Sequence, residues 1–331
     1  MRPLLSIIIP TYNSEKFISK ALDSIKCQRF EAYEVLIVDA GSGDKTKDIC
    51  ELYDERFIFH ELKGSKQGEA RNLGVSSAKG ALVMFLDSDD MLADSNVLTD
   101  CIKEVEGCDS DFYNFAVSFF KNKNRVREIS VPDKLNIDNR DAILRLGLYG
   151  RYVHTIPWNK IYKKKFLTAN NIVFPNLKEQ EDMVFIIHCC MKASRISFAN
   201  RIIVNADIRD DSLSRSMSSL NVACCLDVFL SIEKLLKCSE IFDKFKNDFE
   251  CYKMRTSAYI LLMTINRIKC NDDFWKGVSI IRKSGSLDPW VSMSMLSSMK
   301  ITTVVGIIIT KVPLFLSVLR LSRKFKIIKG Y

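Results

Sequence analysis

The sequence predicts an α/β fold in which a mostly parallel sheet is flanked by helices and followed by an α-helical C-terminal region. Continuous apolar runs, typical of strands buried on both faces, alternate with segments whose apolar residues recur at helical spacing. This alternation implies right-handed βαβ crossovers, which build a Rossmann-like, doubly wound sheet. From about residue 221 onward the strand pattern disappears and only helical spacing remains.

The first two strands are predicted at Leu4–Ile9, which Pro10 is expected to end, and at Val35–Asp39. Asn13 or Ser14 can cap the helix between them. The helix after the second strand is expected to bury Ile49, Leu52 and Tyr53. Further strands are predicted at Phe57–Leu62, Ala81–Asp87, Asp111–Val117 and Ile196–Ile208. Further helices are predicted at Glu69–Ala78, after a cap at Ser95, at Asp141–Leu148 and at Glu179–Lys192. The polar, basic stretch 121–139 indicates a surface excursion or an edge hairpin.

Composition narrows the class of protein. The 331 residues are 47% apolar, which is ordinary for a globular chain, and the formal charge of +9 favours an anionic partner. The 11 cysteines include no CxxC pair, and Cys189–Cys190 and Cys224–Cys225 lie in apolar helical patterns, so buried free thiols in a reducing cytosol are expected. The three histidines stand apart, which argues against zinc, and the N-terminus shows no signal peptide.

Three carboxylates within four positions end the apolar run that begins at Ala81: Asp87, Asp89 and Asp90. Such close acids repel one another unless a cation or hydrogen-bond donors offset them, and carboxylate oxygens suit Mg²⁺ or Mn²⁺. A metal–diphosphate site is one interpretation. The alternative is a solvated polar turn before the next helix, and this segment alone leaves both open.

Polar groups also follow the other strands, at Pro10–Asn13, Asp39 and Gly64–Arg71, and in a parallel sheet these ends share one edge. A nucleotide would explain each, with Asp39 accepting from a base or ribose and Arg71 holding a carboxylate or phosphate. There is no GxGxxG after the first strand and no P-loop pattern, so those two phosphate-binding modes do not apply.

These motifs resemble those of family 2 glycosyltransferases. The matching stretches are Ser6–Asn13, Val38–Asp44, Gly68–Gly74, Phe85–Asp90, Pro157–Lys163 and Glu181–Phe185, and the resemblance covers about residues 1–215. It implies a GT-A fold, a nucleotide-diphosphate sugar donor that is usually a UDP-sugar, a divalent cation (Mn²⁺ or Mg²⁺) and inversion at the anomeric carbon. One departure is Ala40, where the family usually has a second acid after Asp39.

Carried over by position, the resemblance implies roles for individual residues. Asp182 would be the general base, supported by Glu181. Metal binding would fall to Asp89, with Asp87 as a second candidate. The nucleotide-sugar would meet Pro10, Thr11, Tyr12, Asn13, Asp39, Gly41, Gly68, Arg71, Asp87, Ser88 and Arg209, and the acceptor Trp158 and Lys160. The residues themselves allow plainer readings: Glu181–Asp182 as a helix cap, Trp158 as core, and Lys160 with its neighbouring lysines as a solvated face.

The expected organisation is a catalytic domain over 1–215 and a helical region over 216–331. Within the first, the nucleotide-sugar half would be about 1–118 and the acceptor half about 119–215. The apolar stretch Ile301–Leu319 and the basic residues after it favour an in-plane helix at an anionic membrane. The alternative is a last core helix with a solvated basic tail.

The favoured function is inverting sugar transfer to a saccharide acceptor, lipid-linked, in surface polysaccharide synthesis, on the inner face of the cytoplasmic membrane. The alternative is a non-catalytic basic protein that binds anionic membrane or polymer. A nucleotidyltransferase is disfavoured because its Gly-rich basic loop is missing, and no pattern indicates nucleic-acid binding.

Overall fold

The computed structural model describes residues 2–150, 152–208 and 219–267, with 272, 276–277 and 279–280. The chain divides into two compact units, residues 1–210 and 211–331. The boundary predicted at 215 and the tract that contains Arg209 lie outside the described residues. The assignment of a nucleotide-sugar half and an acceptor half within the first unit stays a prediction.

The first unit is built on one mixed sheet. Within the described residues its strands are β1 (Leu5–Thr11), β2 (Tyr33–Asp39), β3 (Phe57–Glu61), β4 (Leu82–Phe85), β5 (Met91–Leu92), β6 (Phe112–Lys121), β7 (Asn124–Ile129), β8 (Leu135–Ile137), β9 (Lys160–Lys163) and β10 (Ile196–Asp207). Their order is β3-β2-β1-β4-β9-β6-β10-β5, with β7 paired to β6 and β8 to β10. The pairs β1–β2, β2–β3, β1–β4 and β6–β10 are parallel, which confirms the predicted mostly parallel sheet.

The helices of this unit that the structure describes are α1 (Ile18–Lys26), α2 (Thr46–Cys50), α3 (Gln67–Ser77), α4 (Val97–Glu106), α5 (Arg140–Tyr149), α6 (Lys164–Ala169) and α7 (Glu181–Lys192). Helix α3 packs so closely on the sheet that a Cβ on Gly74 would lie 2.3 Å from Ile8 Cγ2. The burial predicted for α2 was wrong: the helix buries Thr46 and Cys50, Ile49 is only partly buried, and Leu52 and Tyr53 lie beyond the helix, with Leu52 81% exposed. The predicted caps were also wrong: Phe17 and Asn96 hold the N-cap positions of α1 and α4.

The central strands are buried along their whole length, as the continuous apolar runs predict. Pro10 does not end β1, which continues to Thr11 in register with Asp39. The backbone of Pro10 points to the same side as that of Ile8, whose carbonyl accepts from Leu86 N beyond the end of β4. The N–H group that proline lacks would therefore point past the end of β4, where no strand residue requires a hydrogen-bond donor.

Two features depart from a simple βαβ series. Strand β9 runs antiparallel between β4 and β6, so residues 153–159, which precede it, lie at the edge where β4 ends, while β6 continues beyond that edge. Strands β6 and β7 form an antiparallel hairpin over residues 112–129, which confirms the edge-hairpin interpretation.

The second unit contains α8 (Ser219–Cys238) and α9 (Phe242–Arg267) among its described residues. The adjacent cysteines Cys189–Cys190 and Cys224–Cys225 are buried thiols outside any disulfide, as expected. No helix in the described part of the chain is both long and apolar enough to cross a membrane. Ile301–Leu319 and the basic residues that follow lie outside the described residues.

Candidate active site

Arg71 is the centre of the candidate site. Its side chain, on α3, is completely buried and binds three carboxylates. Nη2 lies 2.9 Å from Asp87 Oδ1, while Nη1 lies 2.6 Å from Asp182 Oδ1 and 3.2 Å from Glu181 Oε1. One guanidinium therefore joins an acid that follows β4 to two acids that begin α7. This brings the predicted donor-side and base residues together, although they are 95 positions apart.

Packing around Arg71 fixes this geometry. The guanidinium carbon lies 5.2 Å from the centre of the Phe174 ring, and Phe174 stacks on Phe185 with centroids 3.8 Å apart. Gly68 allows the start of α3 to approach α7, since a Cβ there would lie 3.0 Å from both Glu181 Cγ and Phe174 Cβ. In this structure Gly68 therefore allows close packing against the candidate catalytic residues.

The environment of Asp182 suits a general base. Burial raises the pKa of Asp182 to about 7, with Glu181 and Asp87 adding to the rise and Arg71 opposing it. Burial disfavours the charge on Arg71, but the three carboxylates outweigh this and its pKa is raised above the ordinary value. The Asp182 side chain remains 28% exposed, so a solvent-side group can still reach it. A carboxylate poised near neutrality can accept a proton from a hydroxyl at physiological pH.

Arg71 itself is placed differently from the prediction. The resemblance implied that Arg71 meets the nucleotide-sugar, but its side chain is inaccessible and its terminal nitrogens are engaged by carboxylates. Of the two kinds of acceptor that the sequence allowed for Arg71, carboxylate and phosphate, the carboxylate is observed. The cap reading of Glu181 and Asp182 is compatible with this site, because both acids occupy the first turn of α7 while they bind Arg71.

The predicted nucleotide side of the site surrounds Asp39. This buried carboxylate accepts from the backbone N–H groups of Gly41 and Ser42 and from Ser42 Oγ. Gly41 has a φ of 95°, in the left-handed region that favours glycine. Asn13 joins the same loop by accepting from Gly43 N and donating its own N–H to Ser42 Oγ. Asp39 thus orders the loop at the end of β2.

Three further residues predicted to bind the nucleotide-sugar, Thr11, Tyr12 and Ser88, follow or end β1 and β4 at the same edge of the sheet. Tyr12 is 62% exposed beyond the end of β1, and Ser88 Oγ lies 2.9 Å from Ser14 Oγ. Thr11 Oγ1 is buried and has no hydrogen-bond partner among the described residues. An unpartnered hydroxyl in such a place is available to a bound polar ligand.

Asp87 and Asp89 are the side chains that the sequence predicts to bind a divalent cation. Both side chains are partly exposed, and the contacts of Asp87 with Arg71 and Gln67 use only Oδ1. No cluster of three or more histidine, cysteine or acidic side chains in the described part of the chain could hold a metal unaided. Two carboxylates completed by substrate phosphates are the arrangement that Mg²⁺ commonly uses, so these residues fit such an ion.

The predicted acceptor residues Trp158 and Lys160 are both inaccessible in this structure. Trp158 is 7% exposed and packs edge-on against Phe119, with ring centres 6.1 Å apart. Lys160 is fully buried and donates to His154 O, Ile156 O and Asn159 Oδ1 at 2.6–2.8 Å. The solvated-face reading of Lys160 was therefore wrong.

Burial lowers the pKa of Lys160 to about 7. Its three oxygen acceptors nevertheless match the three N–H donors of a charged ammonium group. Its observed contacts organise residues 153–159 at the carboxyl edge of the sheet. Sequence reasoning missed this role, and it missed Phe174 and Gln67 as neighbours of Arg71 and Asp87. Phe174 lies in a loop without any local pattern, so nothing in the sequence marks it.

The chain resembles known glycosyltransferases. Residues 6–169 match the family model "Glycosyl transferase family 2". The poly(ribitol-phosphate) beta-N-acetylglucosaminyltransferase TarS of Staphylococcus aureus is 33% identical over 199 residues, which are 58% of this chain and 33% of TarS. The putative glycosyltransferase EpsH of Bacillus subtilis is 24% identical over 268 residues, covering 78% of this chain and 75% of EpsH.

Solved structures show the same fold. The crystal structure of S. aureus TarS 1–349 in complex with UDP-GlcNAc matches with a TM-score of 0.59 and 21% identity, covering 90% of this chain and 93% of that one. In sequence, this chain spans only about a third of full-length TarS.

Proposed function

This chain belongs to glycosyltransferase family 2, whose model matches residues 6–169, and we propose that it transfers a sugar from a UDP-sugar to a hydroxyl of a saccharide or polyol acceptor. The observation that carries the proposal is the single guanidinium of Arg71, which holds Asp87 and Asp182 together. Asp87 follows β4, and burial raises the pKa of Asp182 to about 7, which suits a general base.

The chemistry proposed is one in-line displacement with inversion. Asp182 removes the proton of the acceptor hydroxyl as the oxygen attacks the anomeric carbon, and the nucleoside diphosphate leaves from the opposite face. Glu181 supports Asp182 by sharing Arg71 with it. The acids gathered here are bound to Arg71, and this mechanism needs no carboxylate as a covalent nucleophile.

The donor site we propose combines Thr11, Asp39 and Asp87 with the loops around them. UDP-GlcNAc is the ligand of the TarS structure that shares this fold, and this supports a UDP-sugar here. A divalent cation held by Asp87 and Asp89 would offset the charge that gathers on the leaving diphosphate. Mn²⁺ and Mg²⁺ are both suited to these oxygen ligands.

We further propose that the acceptor belongs to a bacterial surface polymer and is lipid-linked. The similarity to poly(ribitol-phosphate) transferases of S. aureus and Bacillus spizizenii supports the polymer class. The apolar stretch at 301–319 and its basic flank support peripheral attachment to the inner membrane face. Sedimentation with phosphatidylglycerol vesicles at low and high salt tests the attachment, and failure to sediment in either would refute it.

The test of sugar transfer is turnover of a panel of UDP-sugars by the purified chain with Mn²⁺ or Mg²⁺. Asp182→Asn should lose at least about a hundredfold in kcat, because general-base catalysis contributes that much or more. UDP-sugar should still raise the Tm of this variant, since the donor site is intact. Asp48 is an exposed residue of α2, and Asp48→Asn is the matched control that should retain full activity.

Full activity in Asp182→Asn would remove this residue from the base role. If no UDP-sugar raised the Tm of the wild-type chain, with or without metal, the donor assignment would fail. Such a result, combined with strong retention on anionic polymer, would instead favour the non-catalytic alternative.

A further inference from the structure

The hairpin of β6 and β7 carries a concentration of positive charge. Residues 121–129, called here the basic hairpin, contain four cations and one acid. The cations occupy alternate positions: Lys121, Lys123, Arg125 and Arg127. Residues 122–128 are all exposed, and β7 pairs with β6 along one side only within the described residues.

The basic hairpin projects from the edge of the sheet that holds the candidate site. Strands β4 and β6 both run antiparallel to β9, so they point the same way. The register places Met84 level with Tyr113 through Ile161, and therefore the end of β4 at Phe85 level with Asn114. Strand β6 continues seven residues further to Lys121, roughly 20 Å beyond the end of β4 at 3.3 Å per residue. The hairpin is thus an arm beside the site rather than part of it.

One cation of the arm is fixed by packing. The guanidinium carbon of Arg127 lies 5.5 Å from the centre of the Phe119 ring, and Phe119 contacts Trp158. Burial lowers the pKa of His154 to about 4, and the nearby positive charges of Lys160 and Arg127 contribute to this. Through the Phe119 ring, Arg127 thus adjoins Trp158, which belongs to residues 153–159 at the edge of the site.

The other charges differ in how far they are compensated. Arg125 forms an ion pair with Glu128, whereas Lys123 lies exposed at the turn. Exposed cations on an edge strand can serve merely to prevent strand pairing between molecules. That role does not require an arginine packed on an aromatic ring that in turn contacts Trp158.

We propose that the basic hairpin binds a polyanionic acceptor, a polymer with phosphodiester groups at regular intervals, and guides its hydroxyls toward Asp182. Cations at the end of β6, in the turn and on β7 complement the repeating phosphates of such a polymer, and charge of one sign steers it to the arm. The acceptor role rests on the proposed function, but the binding itself does not.

The test is fluorescence anisotropy with a fluorescein-labelled ribitol-phosphate octamer. In the double variant Lys123→Glu/Arg127→Met, the methionine keeps an apolar stem against Phe119. We expect the Kd for the octamer to rise about tenfold at low salt, because the variant loses several exposed charge interactions that are each of modest size. The control Lys20→Glu/Lys103→Met makes the same change of charge on α1 and α4 and should bind as the wild type does. The difference should vanish at about 0.5 M salt, because the charges are screened.

Equal weakening in the control variant, or equal binding of neutral dextran, would overturn the proposal. So would hairpin-dependent binding to phosphatidylglycerol vesicles without octamer binding, which would identify a lipid surface. The Tm rise caused by UDP-sugar separates the two proposals. If UDP-sugar stabilises no form of the chain while octamer binding still depends on the hairpin, the proposed function fails and the binding surface stands.

Discussion

Replacing Arg71 with methionine tests whether the site is organised around one buried charge. The substitution leaves Asp87, Glu181 and Asp182 facing one another without their shared cation. Their side chains are only 23%, 11% and 28% exposed, so water can compensate little of the lost interaction. Removing one partner of a buried ion pair costs about 3 kcal/mol or more, which corresponds to a fall in Tm of roughly 6–12 °C.

The destabilisation should depend on pH with a definite sign. Burial already raises the pKa of Asp182, and the loss of the opposing charge of Arg71 should raise it further above its unfolded value. An acid of this kind destabilises the fold when the pH exceeds its unfolded pKa, and the effect disappears as the pH falls and the group is protonated. The difference in Tm between wild type and Arg71→Met should therefore be larger at pH 8 than at pH 5.

Thermal unfolding at both pH values measures this, with Arg201→Met as the control. Arg201 binds Asp94 at 3.2 Å and Asp100 at 2.7 Å but is 39% exposed, so its loss should cost less than about 1 kcal/mol. The double variant Arg71→Met/Asp182→Asn should regain part of the lost Tm, because one of the three opposing charges is removed. A loss in Arg71→Met no greater than in Arg201→Met, or one independent of pH, would refute the reasoning.

Three further predictions follow from particular contacts. The kcat/KM for sugar transfer should fall as the pH drops through about 7, because Asp182 must be deprotonated to act; a flat profile from pH 5 to 8 would contradict its raised pKa. Asp89→Asn should increase the Mn²⁺ concentration needed for half-maximal activity at least several-fold, and EDTA should abolish turnover in the wild type until Mn²⁺ is restored. Gly74→Ala should destabilise the fold by about 1–3 kcal/mol, because its Cβ would lie 2.3 Å from Ile8 Cγ2, whereas Gly43→Ala, with nothing within 4 Å, should not; equal Tm values would contradict the packing argument.

The parts of the fold that depend on local pattern could be predicted. The strands β1, β2 and β4 are apolar runs with a strong signal, and parallel pairing placed their polar ends at one edge. Strand β9 could not be predicted in this way, because Lys160–Lys163 is only four residues long and alternates weakly. Its antiparallel position between β4 and β6 is decided by long-range packing, which no local pattern encodes.

In the candidate site, too, only the features marked by a local sequence pattern could be predicted. The acids at Asp87 and Asp89 were recognisable from their abrupt position after an apolar run. The association of Asp87 with Asp182 required the family resemblance, since the residues alone favoured a helix cap at Glu181–Asp182. The burial of Arg71 and Lys160 was not foreseen, because a long cationic side chain is normally exposed and only its tertiary partners make burial tolerable.

The arrangement around Asp182 explains why an arginine suits this place. Burial and two neighbouring acids favour the protonated form of Asp182, while Arg71 and the amino end of α7 favour the carboxylate. Either influence alone would move the pKa far from neutrality, and together they leave it near the pH at which a base is most useful. A lysine has a single ammonium, but the fork of a guanidinium can bind Asp182 with one nitrogen and Asp87 with the other. The same side chain that tunes the base thus fixes its position relative to the donor-side carboxylate, so pKa and geometry cannot be altered independently at this position.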